Sequence, residues 1–495
     1  MKVLMIYPEY PDTFWSFKST LRIIGKKAAY PPLGVLTVAA MLPKNWQIKL
    51  VDMNVAKLKD KDIKWADMVM ISAMIVQKKS VKEIVERVKK FKKKMVAGGP
   101  LFTTGFEEFK NIDHLVLGEA EETLKLFLKD FKNKKLKKIY QPKTFPKISE
   151  TVAPKWDLIK FKNYSSMAIQ YSRGCPFNCE FCDIVRLNGR VPRLKTAKQI
   201  IKELNILYKK GWRDGVFFVD DNFIGNKDKL RTEVLPAVIE WQKKRDYPFA
   251  FNTQTSVNLA DDEELMGLMV KAGFNTVFVG IETPNVEGLE ECGKFQNKNR
   301  SLLETVKKMQ AAGLDVQAGF IIGFDSDTQS IFQRQIDFIQ KSGIVTAMVG
   351  LLTASPMTRL YNRLKETGRL LLESTGNNTL AELNFIPIMD KKLLVRGYRK
   401  VLSTVYHPKK YYERLMTFLE ELRIPMKKKF WFHGYQIRAV LGSFWYAGIV
   451  SKWRGEYWKM MKWSLFNKPS SLRYVITYSL LEVHFRKVCF EYAKN

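Results

Sequence analysis

Short apolar strands alternate with amphipathic helices in two successive stretches of this chain, and that alternation favours parallel α/β sheets. In the first stretch, the pattern predicts helices at residues 32–42, 81–91 and 121–131 and strands at residues 3–7, 48–52, 68–72, 95–97 and 114–117. A parallel sheet of this kind is doubly wound and binds ligands at the carboxyl ends of its strands. The sequence therefore predicts a doubly wound α/β domain over residues 1–148.

A second set of strand–helix units follows a predicted linker at residues 149–165. Its six predicted strands lie at residues 167–172, 215–220, 249–255, 276–282, 316–323 and 347–354. Several of the intervening helices end in glycine, the residue that most readily closes a helix in the left-handed conformation. We therefore predict a second α/β domain over residues 149–365, and a helical domain over residues 366–495, where strand alternation stops.

Three cysteines, Cys175, Cys179 and Cys182, lie within one short loop after the first strand of the second set. This CxxxCxxC spacing lets one loop supply three thiolates to a four-iron cluster, which leaves one iron free of protein ligands. A zinc site is the alternative, but no second cysteine pair or Cys/His pair accompanies the loop. Cys292 and Cys489 suggest no disulfide, which fits a reducing compartment, and both are expected to be buried or incidental.

The cysteine loop, with Phe181 between its last two cysteines, resembles the cluster loop of the radical S-adenosylmethionine (SAM) enzymes. The resemblance implies that SAM chelates the free iron of a 4Fe–4S cluster. An electron donor to the cluster would then drive cleavage of SAM to a 5′-deoxyadenosyl radical. The same resemblance implies that residues 149–365 form a partial (β/α)6 barrel, in which functional groups lie at the carboxyl ends of the strands.

Polar residues end several strands of this predicted barrel, where the resemblance assigns contacts with SAM. Asp220, Asp221 and Asn222 end the second strand, where the family holds the methionine portion of SAM. Gln254 ends the third strand, and Glu282 ends the fourth, where the family contacts the ribose. Carboxylates can accept hydrogen bonds from an ammonium group or from hydroxyls. The alternative is that a carboxylate caps the helix that follows it.

The N-terminal domain resembles the cobalamin-binding domain that one large branch of the radical SAM enzymes carries. The resemblance rests on the strings Pro31-Pro-Leu-Gly34, Val51-Asp-Met-Asn54, Ala97-Gly-Gly-Pro100 and Leu117-Gly-Glu-Ala-Glu-Glu122. It assigns cobalamin contacts to residues that follow the predicted strands: Asp52, Asn54, Ser72, Gly98, Gly99, Gly118 and Glu119. The glycine pair would let backbone approach a large planar ligand, although turn geometry alone explains many such pairs. Other cobalamin proteins place a histidine in the corresponding string, whereas Asp52-Met-Asn54 has none.

C-terminal strings resemble the subgroup that contains the hopanoid C-2 methylase and the enzyme that C-methylates a glutamine of methyl-coenzyme M reductase. These strings are Asn384-Phe-Ile-Pro387, Tyr406-His-Pro408, Glu456-Tyr-Trp458 and His484-Phe-Arg486. The resemblance implies methylation of an unactivated sp3 carbon, with SAM as both radical source and methyl donor through methylcobalamin. We expect the substrate to be a glutamine of methyl-coenzyme M reductase, in a post-translational modification. The alternatives are a hopanoid or other lipid, a radical cyclisation or rearrangement, and, in a different class, a nucleic-acid-binding or cobalamin-sensing protein.

The chain is strongly basic, with 83 Lys and Arg against 50 Asp and Glu and a formal net charge of +33. In the C-terminal region, from the lysine run 427–429 onward, basic residues interleave with tryptophans such as Trp431 and Trp445. This pattern suggests contact with a membrane surface or an acidic partner, and a solvated surface is the alternative. A nucleic-acid partner is not expected, because no recognition motif is present. No signal peptide and no bilayer-spanning apolar stretch is evident, so we expect a cytoplasmic protein that is soluble or peripheral at the membrane.

Overall fold

A computed structural model describes residues 1–372, 374–377, 380–424 and 434–494 of the chain. Two six-stranded parallel sheets follow one another and are followed by helices, so the predicted fold class is confirmed. The lysine run 427–429 and Trp431 lie outside the described residues. Within the described ranges, none of the helices combines the length and the apolar character that crossing a bilayer requires.

The first sheet is entirely parallel, and its strands lie in the order β2-β1-β3-β4-β5-β6. The strands are Lys2–Tyr7 (β1), Gln47–Asp52 (β2), Met68–Ser72 (β3), Lys94–Gly98 (β4), His114–Val116 (β5) and Ile139–Tyr140 (β6). The sequence analysis did not predict β6, which has only two residues. Because the chain leaves β1 toward one edge and returns to the other side at β3, the crevice beyond the carboxyl ends of these strands is the expected ligand site.

Helices cover both faces of the first sheet. They are Leu33–Met41 (α2), Asp60–Trp65 (α3), Lys78–Lys90 (α4), Pro100–Gly105 (α5) and Ala120–Lys132 (α6). The first helix of the chain, Lys18–Ile23 (α1), packs against the C-terminal helices instead. In α4, Val81, Ile84, Val85 and Val88 are buried, at the spacing of one helical face. The three predicted helices at residues 32–42, 81–91 and 121–131 correspond to α2, α4 and α6, whereas α1, α3 and α5 were not predicted.

The second sheet has the order β14-β13-β12-β11-β10-β7 and is also parallel throughout. Its strands are Met167–Ile169 (β7), Gly215–Phe218 (β10), Ala250–Thr255 (β11), Phe274–Glu282 (β12), Asp315–Ile322 (β13) and Ala347–Leu351 (β14). Between β7 and β10, the short strands Ser172–Arg173 (β8) and Arg193–Leu194 (β9) form an antiparallel pair. The first and last strands of this sheet do not pair with each other, so it is a partial barrel.

The helices of this part follow its strands along the chain. They are Ile184–Asn188 (α7), Ala197–Lys209 (α8), Lys227–Lys229 (α9), Leu235–Lys243 (α10), Glu263–Ala272 (α11), Val286–Glu291 (α12), Leu302–Ala312 (α13), Ile331–Ser342 (α14) and Arg359–Glu366 (α15). A π-helical turn, Leu230–Val234, joins α9 to α10. Helices α11 and α13 end at Gly273 and Gly313, whose φ angles of 104° and 105° confirm the predicted left-handed closure.

Three strands of this sheet end two or three residues earlier than predicted. Two of them, β10 and β14, were predicted to reach residues 220 and 354 but end at Phe218 and Leu351. The third is β7. Residues 167–172 were predicted as one strand, but β7 ends at Ile169. The backbone N–H groups of Tyr171 and Ser172 donate to the carboxylate of Asp220 instead of to a neighbouring strand. Because these N–H groups bond the carboxylate, the chain leaves the sheet just before the cysteine loop.

The C-terminal helices cover the exposed edge of the barrel sheet. They are Lys391–Val405 (α16), Pro408–Glu421 (α17), Gly434–Ser443 (α18), Arg454–Asn467 (α19) and Leu472–Lys494 (α20), with a π-helical stretch, Phe444–Val450, after α18. Tyr398 donates to the Val349 carbonyl, and the Tyr406 hydroxyl bonds both backbone groups of Ala347. These bonds satisfy backbone groups on the edge strand β14, which would otherwise be open to another strand.

The N-terminal segment between β1 and α2 leaves the first sheet and contacts the other two parts. Ala28 pairs with Tyr164 just before β7. Phe14 stacks on Phe485 of α20, with ring centroids 4.4 Å apart. The predicted boundaries at 148 and 365 fall between the two sheets and at the end of α15, respectively, and they remain predictions.

Asp315 gives the fold a pH dependence that can be measured. It is fully buried at the start of β13, accepts a 2.5 Å hydrogen bond from Tyr478 of α20, and burial raises its pKa to about 7. The folded protein therefore binds a proton that the unfolded chain releases near pH 4, so stability falls as pH rises from about 4 to 7. We expect Asp315→Asn to raise the unfolding free energy at pH 8 by on the order of 2 to 4 kcal/mol.

Urea unfolding of both proteins at pH 5 and pH 8 measures this difference. Asp337→Asn is the control, since it makes the same change of side chain at an exposed position. An Asp315→Asn protein with the same pH dependence as the wild type would contradict the prediction.

Candidate functional site

A cavity of about 570 Å³ lies where the carboxyl ends of the two sheets face each other. From the first domain, residues that follow β3, β4 and β5 line it, and from the barrel, residues that follow β7 and β10 line it. The lining includes Ser72, Gly99, Gly118 and Glu119 on one side and Gln170, Arg173, Asp183 and Val219 on the other. The cavity therefore borders the strand ends of both domains, where the sequence analysis predicted that ligands bind.

Four of the residues predicted to contact cobalamin line this cavity: Ser72, Gly99, Gly118 and Glu119. Gly99 has a φ of +95°, and a Cβ atom there would lie 2.8 Å from the Ser72 Oγ. The turn therefore requires glycine, and its backbone faces the cavity without a side chain. This cradle, formed by small groups at the ends of β3 and β4, suits a large planar ligand such as cobalamin.

Asp52, Asn54 and Gly98 do not line the cavity. The Asp52 carboxylate accepts hydrogen bonds from the Asn54 N–H and the Tyr164 hydroxyl, both at 2.9 Å, and burial raises its pKa. A Cβ atom at Gly98 would lie 2.6 Å from the Val116 carbonyl oxygen of the neighbouring strand. In this structure, the three residues hold the loop and sheet together, and their contact with cobalamin remains a prediction.

The cysteine loop lies beside the cavity, after β8. Cys179 is buried, Cys175 and Cys182 are half-buried, and burial raises the pKa of all three thiols. Among the described residues, no three His, Cys, Asp or Glu side chains are placed to hold a single metal ion. Three thiols on one loop match the donor set of a four-iron cluster, as the cysteine spacing predicted.

Glu180, inside the loop, anchors it to two other segments. Its N–H donates to the Cys292 carbonyl at 2.8 Å, and its carbonyl accepts from Leu360 at 3.0 Å. Its carboxylate receives two hydrogen bonds from the Arg363 guanidinium, at 2.8 and 2.9 Å. This bidentate pair, to which the sequence analysis gave no role, fixes the middle of the loop between Cys179 and Cys182.

Loss of this pair should loosen the loop. We expect Glu180→Gln to lower cluster retention and SAM cleavage by about 10- to 100-fold, as disruption of the groups that orient metal ligands commonly does. Iron content after anaerobic reconstitution and the rate of 5′-deoxyadenosine formation measure the effect.

Asp261→Asn is the matched control, since Asp261 forms a similar bidentate pair with Arg300, at 2.9 Å, on an exposed part of the barrel. Equal losses in both variants would show that the effect is general destabilisation.

Lys294 places a positive charge beside the cysteine loop, a role that the sequence analysis missed. Burial alone would lower its pKa, but Glu282 and Cys179 outweigh burial and raise it, so the ammonium stays charged. Its Nζ lies 2.6 Å from the Glu282 carboxylate. Glu282 has a φ of +63°, a strained conformation for this residue type that is typical of functional sites.

The three polar residues that follow β10 form hydrogen bonds with other segments of the protein. Asp220 accepts from Tyr171 and Ser172, and burial raises its pKa to about 7. Asp221 accepts from the Gly174 N–H at 2.7 Å, immediately before Cys175. Asn222 bonds Ser256 at the end of β11. They therefore position the cysteine loop, and their contact with SAM remains a prediction.

Gln254 has a different environment. On β11, Phe251, Thr253 and Thr255 are buried, whereas the alternate residues Asn252 and Gln254 are partly exposed. Because alternate side chains face opposite sides of a strand, the partly exposed pair faces the barrel lumen. Gln254 lies beside Phe278 of β12 in register. Its amide is therefore placed on the lumen wall, where it was predicted to contact SAM.

An ion network joins the two domains next to the cysteine loop. Arg173 of β8 contacts Glu119 at 2.6 Å and Glu121 at 2.8 Å, and Arg193 of β9 contacts Glu119 at 2.5 Å. Burial alone would raise the pKa of Glu121, but Arg173 outweighs it and holds the pKa below its usual range. The network holds the two walls of the cavity together. Within the network, the Glu119 carboxylate bonds arginines of the barrel.

A second cavity of about 570 Å³ opens on the outer side of the cysteine loop. Pro176, Phe177 and Asn178 of the loop form one wall, and the exposed Arg190 and Arg359 stand at its rim. The loop is therefore approached from both sides, by the shared cavity and by this outer one.

Comparisons with known proteins agree with this geometry. Residues 23–128 match the model of the B12 binding domain, residues 169–339 match that of the radical SAM superfamily, and residues 358–495 match a domain of unknown function, DUF4070.

Two curated relatives are similar over most of their length. An uncharacterized methyltransferase of Synechocystis sp. is 40% identical, with 98% of this chain and 91% of the relative covered. The hopanoid C-2 methylase of Rhodopseudomonas palustris is 34% identical, over 82% of this chain and 77% of the relative. The solved structure of the radical SAM methyltransferase TsrM from Kitasatospora setae, with cobalamin and a [4Fe–4S] cluster bound, has a similar fold. Its TM-score is 0.63 at 14% identity, with 93% of this chain and 98% of that chain covered.

Proposed function

Because the chain belongs to the cobalamin-dependent radical SAM methyltransferases, we propose that it methylates an unactivated sp3 carbon of an apolar, polycyclic lipid. The cavity shared by the two domains carries the proposal. Four residues predicted to contact cobalamin line it on one side, and Asp183 and Val219, the chain neighbours of Cys182 and Asp220, line it on the other. Held in one space, a radical source and a methyl donor can act on the same carbon. The predicted enzyme class is confirmed, and the substrate is the part proposed.

The cofactors of this family are a 4Fe–4S cluster, SAM and cobalamin. Bound together, they supply a 5′-deoxyadenosyl radical and a transferable methyl group. In our proposal, Cys175, Cys179 and Cys182 hold the cluster and Gln254 and Glu282 contact SAM. Cobalamin would lie against the small groups at the carboxyl ends of the first sheet: Ser72, Gly99 and Gly118.

The residues around these sites orient the ligands and stabilise their charges. Lys294 stabilises the thiolate form of the cysteines, because its ammonium lies in the same buried region. Asp221 and Glu180 fix the loop at its start and in its middle. The Arg173–Glu119 contact joins the first domain to the barrel across the cavity.

The barrel lumen supports an apolar substrate. Trp15 of the N-terminal segment packs on Phe278 of β12, with ring centroids 5.4 Å apart, and Tyr30 packs on Phe217 of β10 at 5.0 Å. The neighbouring strand residues that share this face include the amides Asn252 and Gln254. Aromatic walls with a few amide groups suit a large apolar molecule that carries a small number of polar atoms.

The sequence analysis favoured a glutamine of methyl-coenzyme M reductase as substrate. That substrate stays a prediction. The aromatic lumen and the relative named a hopanoid methylase both favour the lipid alternative. We therefore place the lipid first and keep the glutamine as the competing outcome of the experiment.

Mass spectrometry decides between these substrates. Anaerobically reconstituted protein, supplied with cobalamin, SAM and a reductant, would be incubated with a hopanoid in one reaction and with a peptide containing the reductase glutamine in another. We expect the hopanoid to gain the mass of one methylene group while S-adenosylhomocysteine forms in equal amount. Methylation of the peptide alone would overturn the lipid proposal. Product without S-adenosylhomocysteine would indicate cyclisation or rearrangement.

The outer cavity is our proposed approach for the electron donor. Arg190 and Arg359 are exposed at its rim, next to the loop that holds Cys175 and Cys179. Positive charge at this position would attract an acidic electron-carrier protein. An Arg190→Glu/Arg359→Glu double variant should then be reduced more slowly by such a carrier, but at the wild-type rate by dithionite.

A further inference from the structure

Helix α18 and the π-helical stretch after it expose a continuous set of large apolar side chains. We define these residues as the apolar face: Ile437, Val440, Leu441, Phe444, Trp445, Ile449 and Val450. Each is between 42% and 62% exposed. Their spacing of three, four, seven and eight residues places them along one side of the helix. A stripe of this kind normally faces the interior of a soluble protein, so its exposure requires an explanation.

The opposite side of the same helix explains its orientation. Gly442, Ser443, Ala447 and Gly448 are buried there. A Cβ atom at Gly442 would lie 2.3 Å from the Ile23 Cγ2, and one at Gly448 would lie 2.9 Å from the Tyr457 Cε1. Small residues therefore pack tightly against the protein, and the large apolar residues point outward. Rotating the helix to bury the apolar face would remove this close contact.

The helix is also held firmly in this orientation. The Trp458 indole N–H of α19 donates to the Gly448 carbonyl at 3.0 Å, and the hydroxyls of Ser443 and Tyr457 are 3.3 Å apart. The Phe444 and Trp458 rings pack edge to face at 5.7 Å. Helices α18 and α19 therefore form a hairpin with the apolar face on a fixed outer side.

Basic residues accompany the apolar face. Residues 434–467 contain five Lys or Arg and one acidic residue, Glu456. Four of the basic residues lie beyond the face, on the turn and on α19, and are exposed: Lys452, Arg454, Lys459 and Lys462. An apolar helix face flanked by lysine, arginine and tryptophan is the pattern of helices that lie in the membrane interface.

We propose that this hairpin docks the protein onto an anionic lipid bilayer, with the apolar face among the acyl chains and the basic residues on the headgroups. The charge of the hairpin favours a bilayer that carries anionic lipid over a neutral one. The proposal rests on the exposed surface and not on the substrate proposed above. It would hold equally for an enzyme whose substrate is a protein.

Vesicle flotation tests the proposal. Reconstituted full-length protein would be mixed with vesicles of phosphatidylcholine alone or with phosphatidylglycerol added, and without any hopanoid. We expect the wild type to float with the anionic vesicles and a Leu441→Glu/Trp445→Glu variant to lose about tenfold or more of this binding. A Lys459→Glu/Lys462→Glu variant should lose binding to anionic vesicles in the same assay.

Leu126→Glu is the matched control, since Leu126 is an exposed apolar residue on α6 of the first domain. The rate of SAM cleavage in detergent-free solution shows that each variant is folded, because the hairpin takes no part in the cluster site. Wild-type protein that floats with neither vesicle, or a Leu441→Glu/Trp445→Glu variant that floats as well as the wild type, would overturn the proposal. Dimerisation through this face without vesicle binding would also overturn it.

Failure of this proposal can be told apart from failure of the proposed function. Flotation needs no substrate, and methylation of a detergent-solubilised hopanoid needs no vesicle. Vesicle binding without lipid methylation would support the docking surface and overturn the lipid as substrate. Methylation without vesicle binding would support the lipid substrate and overturn the docking surface.

Discussion

Replacing Cys175, Cys179 or Cys182 by alanine should abolish cluster binding and SAM cleavage, whereas replacing Cys292 or Cys489 should leave both unchanged. The first three thiols share one loop, and a cluster deprived of one of three protein ligands is exposed to loss of iron. Iron content, the cluster absorption and 5′-deoxyadenosine formation measure the effect. In the three loop variants, we expect all of these to fall to background.

Cys292 makes this comparison informative, because it lies close to the loop. The Glu180 N–H donates to the Cys292 carbonyl, and burial raises the pKa of the Cys292 thiol. The thiol itself points to the Leu289 carbonyl oxygen, 3.6 Å away, inside its own helical turn. We therefore expect Cys292→Ala to keep the cluster and its response to added SAM. Loss of the cluster in Cys292→Ala would reveal a fourth protein ligand, which would leave no iron for SAM to chelate.

Gly99→Ala should impair cobalamin binding while the cysteine-loop site stays intact. The positive φ of Gly99 and the Ser72 Oγ at 2.8 Å from a Cβ atom mean that alanine must shift the turn. The Gly99 carbonyl also accepts from Thr103, whose hydroxyl in turn accepts from the Gly118 N–H at 2.9 Å. One methyl group therefore disturbs the ends of β3, β4 and β5 together.

The strain of about 1–3 kcal/mol expected for this conformation corresponds to about a 5- to 150-fold loss of cobalamin binding. Methyl transfer should fall in parallel. Formation of 5′-deoxyadenosine should change little, since the cysteine loop belongs to the barrel. Retained cobalamin after anaerobic gel filtration and the two product assays measure these effects.

Gly267→Ala in α11 is the matched control for this variant. An added Cβ there has no atom within 4 Å, so both activities should remain at the wild-type level. Cobalamin retention at the wild-type level in Gly99→Ala would contradict our placement of that cofactor.

The aromatic C-terminal region shows where sequence patterns stop being sufficient. The tyrosines of α16 and α17 and the tryptophans around residue 445 all lie in the C-terminal helical domain, and residue type alone does not show which of them are buried. Tyr398, Tyr406 and Tyr411 are buried against the barrel edge. Trp445 lies on the outer side of its helix, because Gly442 and Gly448 occupy the inner side. The periodicity predicts a face, but only packing decides which way that face points.

The polar residues at the strand ends give a similar lesson. Asp221 and Asn222 were predicted to contact SAM, since carboxylates and amides in that position suit a ligand. In the structure, they bond the Gly174 N–H and Ser256. Backbone groups of irregular loops need partners as much as ligands do. A residue type at a strand end therefore indicates a polar site without saying whether protein or ligand occupies it.

The sequence by itself determined the fold class and a loop that can hold a four-iron cluster, because both depend on short-range patterns: the alternation of strands with helices and the spacing of three cysteines. SAM and cobalamin followed from the resemblance to a known family. Only the tertiary structure revealed the Glu180–Arg363 pair, the Lys294 charge beside the cysteines and the Arg173–Glu119 link between the domains. Glu180 and Arg363 are 183 residues apart in the chain, and nothing local distinguishes either of them among 133 charged residues, 83 basic and 50 acidic. Such partners become identifiable only when folding brings distant segments into contact.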